Sequence, residues 1–191
     1  MRCHRVAALT ALLVCGPVVL AAQRFSLSGG GLYAALSGSD FDGIDDGFGF
    51  DVQLRYHAAG AISVGAGLQY TSHGVSGFSE NFGVSGIFVE GRYAFQKANP
   101  SVIPYLGARF ALAHSRIASG PNELTADGSV LGPSGGLLIR LASTTQLDFG
   151  LVWATVHFGD AKLNGNTQAN SELNGSALAL RAGLVFTFGK K

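Results

Sequence analysis

The feature that most constrains this chain is an alternation of apolar residues with glycine, polar or charged ones. In residues 48–58 every second residue is aromatic or aliphatic, and Asp51, Gln53 and Arg55 fall between them. Because side chains alternate across a β-strand, such a segment predicts a strand with one apolar face and one polar face. Five further segments have the same pattern: residues 62–71, 87–95, 104–112, 146–155 and 178–188.

Two weaker segments complete a set of eight predicted strands. Residues 25–36 are rich in glycine, and their alternation is ambiguous because Leu32 and Tyr33 are both apolar. Residues 130–141 alternate clearly only near their end. Pro133 has no N–H to give to a strand ladder, so we expect it at a rim or a bulge. The loops, of which Ser115–Ser129 and Gly159–Asn174 are the longest, are expected to alternate with short turns, as in up-and-down barrels.

The charged residues of these segments all fall on the face that lacks the aromatic residues. An arginine that faces lipid near the middle of a membrane costs about 2–4 kcal/mol, whereas one inside a barrel does not. The alternation therefore predicts that these charges form a network in the lumen of a barrel. The predicted members are Asp51, Arg55, Glu90, Arg92, Arg109, Arg140, Asp148 and Arg181.

The N-terminal residues 1–22 have the pattern of a signal peptide. Arg2 and Arg5 precede an apolar run over residues 6–20, and Ala21-Ala22 offers small residues for cleavage. A retained transmembrane helix and a lipoprotein signal at Cys15 are the weaker alternatives. Cleavage near residue 22 would remove both cysteines of the chain and leave residues 23–191 as one barrel domain.

The composition favours a membrane barrel over a soluble domain. Only 13% of the residues are charged and 28 are glycine, whereas about a quarter are charged in ordinary globular domains. After the signal, no apolar run is long enough for a membrane helix, and a closed sheet is the other structure that can cross a bilayer. The rival architecture is a soluble, lipocalin-like barrel with its aromatic face turned inward. The near-neutral charge gives no reason to expect nucleic acid as a partner.

Two segments resemble a known family. The segment from Pro104 to Phe110 (PYLGARF) is similar to the strand start common in OmpA- and OmpX-like outer-membrane barrels, and Leu180–Phe188 (LRAGLVFTF) is similar to their final strand. The resemblance implies an eight-stranded antiparallel up-and-down transmembrane barrel in the outer membrane, in contact with its lipid and lipopolysaccharide. It also implies that Phe186 and Phe188 form the signal that the barrel-assembly machinery recognises.

The aromatic residues are expected to form girdles at the two membrane interfaces, where amphipathic rings are enriched. One group lies toward the strand ends on the periplasmic side and comprises Tyr56, Phe95, Phe149, Phe186 and Phe188. The other group lies toward the opposite rim and comprises Tyr33, Phe48, Tyr70 and Trp153.

For function, the sequence favours a structural or surface-interacting barrel whose polar lumen is occluded, because eight strands leave room for little more than side chains. A narrow passive pore lined by Arg109, Arg140 and Arg181 is the alternative. We expect a monomer whose external partner the sequence does not identify, with neither a metal site nor a cofactor. The acidic first loop, with Asp40, Asp42, Asp45 and Asp46, is expected to be solvated.

A lipid-modifying enzyme is the remaining alternative, since His73, His114 and His157 fall near the extracellular rim. The alternation places His73 inward and the other two outward, so they do not converge on a shared triad. The chain is therefore expected not to be an enzyme.

Overall fold

A computed structural model describes residues 25–77, 80–95, 101–119, 121–169 and 171–188 of the chain. The predicted signal peptide, residues 1–22, lies outside the described residues. Within them the only helix is a single 3₁₀ turn at Ser39–Phe41. None of the described helical structure is long and apolar enough to span a bilayer.

Eight long strands form the architecture, and two short strands extend one of its loops. The long strands are β1 (Phe25–Ser37), β2 (Ile44–Ala59), β3 (Ile62–Val75), β4 (Asn81–Ala94), β5 (Val102–Ser119), β6 (Asn122–Arg140), β7 (Thr145–Phe158) and β10 (Leu173–Phe188). The short strands are β8 (Lys162–Leu163) and β9 (Asn166–Thr167).

The eight long strands close into an antiparallel barrel. Each of β1 to β7 pairs with its neighbour in sequence, β7 pairs with β10, and β10 pairs with β1 from Phe25↔Phe188 to Ser37↔Ser176. Closure leaves no open edge in the barrel, so its backbone N–H and C=O groups are paired between strands. The predicted up-and-down barrel is confirmed.

Each strand places its apolar side chains outside and its charges inside. On the outer wall Phe48 is 69% exposed, Trp153 63% and Leu68 61%, whereas Asp148 in the interior is 0% exposed. A soluble barrel has the reverse distribution, because exposed apolar area is costly in water. The lipocalin-like alternative is therefore wrong, and the outer wall is a surface suited to lipid.

The structure resolves the ambiguity in β1. Leu32 points into the lumen and is 6% exposed, and Tyr33 lies on the outer wall. Pro133 does not lie at a rim or a bulge as expected. It sits within β6 opposite Ala108 of β5, and the ladder between β6 and β7 is interrupted at Gly132 and Pro133. The missing N–H is thus accommodated by a gap in one ladder.

The predicted long loop Ser115–Ser129 is also wrong, because most of it continues the hairpin of β5 and β6. The two strands pair as far as Ser119↔Asn122, and the connection between them is short. The loop Gly159–Asn174 contains β8 and β9, and β8 pairs with β6 through Leu124↔Leu163. The barrel thus has a terminal end, which holds both chain ends of the sheet, and a loop end with this extended hairpin.

Placing a charge on the outer wall should reveal which part of the wall faces hydrocarbon. Leu68 lies at the middle of β3 and Ile62 at its first residue, and both side chains are exposed. Leu68→Arg should lower the free energy of unfolding by about 2–4 kcal/mol and Ile62→Arg by only ~0–1 kcal/mol, because the cost falls toward the interface. Denaturant unfolding in lipid vesicles measures both, and equal costs at the two positions would contradict the assignment.

Candidate functional site

The lumen is crossed by a layer of ion pairs, here called the charge layer. Its members are Asp51 and Arg55 on β2, Glu90 and Arg92 on β4, Arg109 on β5, Asp148 on β7 and Arg181 on β10. Their residues are between 0% and 7% exposed. The alternation in sequence predicted each of these seven as a lumen charge, and the structure brings them together.

Glu90 is the centre of one half of the charge layer. Its Oε2 atom lies 2.8 Å from Nη2 of Arg55, 2.9 Å from Nη2 of Arg92 and 3.5 Å from Nη2 of Arg109. Gln53 donates to the same oxygen at 3.3 Å and accepts from Arg55 at 2.8 Å. Three guanidinium groups therefore surround a single carboxylate.

Asp148 and Asp51 hold the other half. Arg92 Nη1 and Arg181 Nη1 lie 2.8 and 2.6 Å from Oδ2 of Asp148, and Tyr105 donates to its Oδ1 at 2.8 Å. Arg181 Nε lies 2.9 Å from Oδ1 of Asp51. Arg92 and Arg181 thus bridge carboxylates on different strands, which ties opposite walls of the barrel together.

Two inward aromatic rings complete the charge layer. The guanidinium carbon of Arg92 lies 4.1 Å from the ring centre of Tyr105, and that of Arg109 lies 3.9 Å from the ring centre of Phe88. Both distances are within the range of a cation–π interaction. The expectation that the charged face lacks aromatic residues is wrong at Phe88 and Tyr105, and neither ring is among the predicted site residues. The signal was available, since they are aromatic residues on the face that carries the charges.

The charge layer contains four arginines and three carboxylates, so it holds one excess positive charge. Arg109 has the weakest partners: its ion pairs to Asp51 and Glu90 are both 3.5 Å long, and its Nε has no hydrogen-bond partner among the described residues. Burying a charge is expensive unless it is paired and hydrogen-bonded. The cation–π contact of Arg109 with Phe88 supplies part of the stabilisation that its two long ion pairs do not provide.

Arg140 is not part of the charge layer, and its predicted place there is wrong. It is the last residue of β6 and is exposed at the terminal end, where its backbone N–H donates to Ser101. The alternation predicted its side of the strand correctly. Its depth differs because β6 ends at this residue, at the rim of the barrel.

An apolar plug fills the lumen on the other side of the charge layer, toward the loop end. It consists of Phe41, Ala113, Ala126, Val156, Phe158 and Ala161, which are 1–7% exposed. Phe41 comes from the 3₁₀ turn between β1 and β2 and folds inward over the strands. Gly175 makes room for it, because a Cβ there would lie 2.8 Å from the Phe41 ring.

Little free space remains within the charge layer. A cavity of about 10 Å³ lies among Leu32, Glu90, Arg92, Tyr105 and Arg109. A single water needs a cavity of roughly 10–15 Å³. The layer is therefore packed by side chains rather than hydrated as an open channel would be.

The rim histidines point in the directions that the sequence predicted. His73 is 1% exposed and contacts Thr71 and the backbone of Asp45 inside the barrel. His114 and His157 are on the outside, where they contact Asp127 and Asn174. These three side chains do not converge.

The carboxylates of the predicted first loop are held by hydrogen bonds at the loop end, with Asp40 in the 3₁₀ turn and Asp45 and Asp46 at the start of β2. Asp40 accepts from Ser39 and from the backbone N–H of Asn174, and Asp46 accepts from Tyr33. Asp45 accepts from Ser76. These contacts place the loop carboxylates at the loop-end rim, with Asp40 tying the first loop to the start of β10.

The predicted girdle residues all lie on the outer wall. Exposed members are Phe48, Tyr70, Phe95, Phe149, Trp153, Phe186 and Phe188, and partly exposed members are Tyr33 and Tyr56. At the terminal end the tilted rings of Phe25 and Tyr56 have 5.3 Å between their centres, and at the loop end the ring centre of Tyr33 lies 5.4 Å from that of Phe48. Phe25 is an addition that the sequence analysis missed, although its position on the outward face of β1 was a usable signal. The role of these aromatic residues as membrane girdles stays a prediction.

Solved structures of outer-membrane proteins are similar to this one. Neisserial surface protein A is 21% identical with a TM-score of 0.67, and the alignment covers 85% of this chain and 96% of that chain. OprG from Pseudomonas aeruginosa is 13% identical with a TM-score of 0.57, covering 88% and 97%. Ail, the attachment invasion locus protein of Yersinia pestis, is 13% identical with a TM-score of 0.56, covering 87% and 99%. Searches of protein-family models and of curated proteins each gave no match.

The fold is therefore that of the small eight-stranded outer-membrane β-barrels. Within that class the resemblance to OmpA- and OmpX-like barrels drawn from the sequence is confirmed at the level of the fold. These neighbours are outer-membrane proteins, which supports the same location for this chain. In barrels of this class the terminal end is the periplasmic end and the loop end is the extracellular end, and the same orientation is expected for this chain.

Removing one member of the charge layer should cost far more than removing an equivalent charge outside. Asp148→Asn leaves Arg92 and Arg181 without their shared carboxylate, and breaking a buried pair costs about 3–5 kcal/mol. Glu123→Gln breaks the exposed pair with Arg116, 3.0 Å long, and should cost at most ~1 kcal/mol. Equilibrium unfolding in lipid vesicles compares the two variants, and similar small losses would show that the charge layer adds little stability.

Proposed function

We propose that the protein is a non-conducting outer-membrane barrel that acts through its extracellular surface. The observation that carries the proposal is the charge layer, in which Arg92 and Arg181 bridge carboxylates across the lumen. A passive pore needs a continuous hydrated path, and the cavity within the layer has a volume of about 10 Å³. A role that depends on solute passage is therefore disfavoured.

The apolar plug gives independent support for a closed lumen. Phe41 and Phe158 are 2% and 1% exposed and lie on the extracellular side of the charge layer. A water path would have to cross both the charge layer and this apolar contact, and apolar constrictions exclude water. The two barriers use different physics, so the loss of one leaves the other in place.

The extracellular surface supports the second part of the proposal because it is an ordered structure. Asn164, in the turn between β8 and β9, accepts from the N–H of Glu123 at 2.8 Å and donates to Asn122 at 3.0 Å. Lys162 and His114 both bind Asp127, at 3.3 and 2.8 Å. We call the region formed by residues 122–127 and 162–167 the extracellular platform. A preformed surface is suited to binding because little ordering entropy is lost on association.

The name of one structural neighbour is in keeping with a surface role, since Ail is an attachment invasion locus protein. We also propose that the chain is exported through residues 1–22 and that Phe186 and Phe188 form its assembly signal. The outer wall would contact outer-membrane lipid and lipopolysaccharide as a monomer. The structure assigns no external partner to the extracellular platform.

The conductance of the purified protein tests the closed lumen. In planar bilayers the unmodified barrel should give no sustained single-channel steps, and Arg92→Ala or Phe41→Ala alone should remain silent because the other barrier persists. The combined variant should conduct. Arg92 is the member to remove because both its carboxylates, Glu90 and Asp148, keep other arginine partners.

The matched control for that experiment removes the same residue types from the outside of the barrel. Arg116 and Phe48 are both exposed, so Arg116→Ala combined with Phe48→Ala should stay silent. Sustained, salt-dependent steps from the unmodified protein would overturn the proposal in favour of a narrow pore.

Hydrogen exchange tests whether the extracellular platform is ordered. Asn164 has a φ of 51°, and alanine adopts such a conformation at a cost. Asn164→Ala should accelerate amide exchange at residues 122–125 and 162–167 by about thirtyfold or more, since it removes two hydrogen bonds worth ~1 kcal/mol each and adds strain. Asn164→Gly removes the same bonds without the strain and should have a smaller effect. Exchange that is fast in the unmodified protein would show that the platform is not preformed.

A further inference from the structure

The periplasmic end of the lumen contains a cavity that the closed-barrel proposal does not use. It has a volume of about 240 Å³ and lies between the charge layer and the turn at Gly60 and Ala61. A single water needs a cavity of roughly 10–15 Å³, so the space is large enough for a small hydrated solute. We call this cavity the periplasmic vestibule.

The walls of the vestibule are rich in hydrogen-bond donors. Ser28 accepts from Arg181 at 2.9 Å and Ser63 accepts from Arg55 at 3.3 Å, and both serines line the cavity. Because an arginine already occupies a lone pair of each hydroxyl, each hydroxyl keeps its own proton to donate. Ser26, also in the wall, shares a hydrogen bond of 3.0 Å with Nε2 of His57.

The floor of the vestibule is positively charged. Arg55 and Arg92 line it, and both side chains are nine-tenths or more buried. A guanidinium has five N–H donors, and the bonds of Arg55 to Ser63, Gln53 and Glu90 leave some of them without a partner among the described residues. Asp148 also lines the cavity, but its oxygens accept from Arg92, Arg181 and Tyr105.

We propose that the periplasmic vestibule binds a small oxyanion, with inorganic phosphate as the representative ligand. Arg55 would supply charge and donors from the floor, and Ser28 and Ser63 would donate from the walls. The lining carries two guanidinium groups, Arg55 and Arg92, against the single carboxylate of Asp148, so it favours an anion over a cation. Donors arranged around a desolvated cationic floor are the usual means by which proteins bind phosphate.

The site rests on the closed lumen for its shape, because the charge layer forms its inner end. An anion that enters from the periplasm would reach Arg55 and go no further. Binding and conduction are therefore separate measurements. A barrel that conducts while the vestibule saturates with phosphate would refute the closed lumen and leave the anion site standing.

Phosphate titration of the ¹⁵N-labelled protein in detergent micelles tests the site. The amide signals of Ser26, Ser63 and Thr187, which line the vestibule, should shift and saturate, while that of Asn164 on the extracellular platform should not. Sodium chloride at matched ionic strength should not reproduce these shifts. Arg55→Gln should weaken binding about tenfold or more, which is the effect of losing a hydrogen bond to a charged group.

Two further variants keep the test independent of folding defects. Ser63→Ala leaves every ion pair of the charge layer intact and should weaken phosphate binding several-fold. Arg116→Gln removes an exposed arginine at the opposite end and should leave the affinity unchanged. Shifts that stay linear with phosphate concentration, or equal affinities in the Arg55→Gln, Ser63→Ala and Arg116→Gln proteins, would overturn the proposal.

Discussion

Every other feature of this protein depends on the pairing of β1 with β10, which closes the sheet. In hydrocarbon an unpaired N–H or C=O has no water to bind, so a sheet can cross a membrane only when it has no edge. Closure from Phe25↔Phe188 to Ser37↔Ser176 meets that requirement. It also creates an interior, and the interior is where the alternating sequence must place the residues that lipid would reject.

The interior is divided into three zones with different chemistry. The apolar plug around Phe41 and Phe158 lies toward the loop end, the charge layer lies in the middle, and the vestibule lies toward the terminal end. Buried ion pairs are not in general a source of stability, because desolvation offsets their attraction. In this barrel the alternative position for each charge is lipid, which is more costly still. The charge layer is thus a consequence of barrel closure, and occlusion follows from its dense packing.

Much of the fold and of the charge layer could be predicted from the sequence, because lipid on one side and a lumen on the other impose a strict period of two. The same reasoning failed where that constraint ends. Toward the loop end, residues 115–129 carry pairs such as Arg116 with Glu123 on the outer face, and these resemble a loop in sequence. Alternation gives the face of a residue but not its depth, hence the error at Arg140. The inward fold of Phe41 depends on contacts with β7 and β10, which no local pattern encodes.

The contacts around Phe41 and in the charge layer join residues that are far apart in sequence, and this affects the order in which the barrel folds. Arg181 and Asp51 are separated by 130 residues, and Asp40 and Asn174 by 134. Contacts of such long range form only after the chain has paid a large loop-closure entropy, so they form slowly. Until β10 pairs with β1, the seven charges lack some of their ion-pair partners. The first loop then also lacks its contact with the start of β10. The interior therefore reaches its final arrangement late in folding, when β1 pairs with β10.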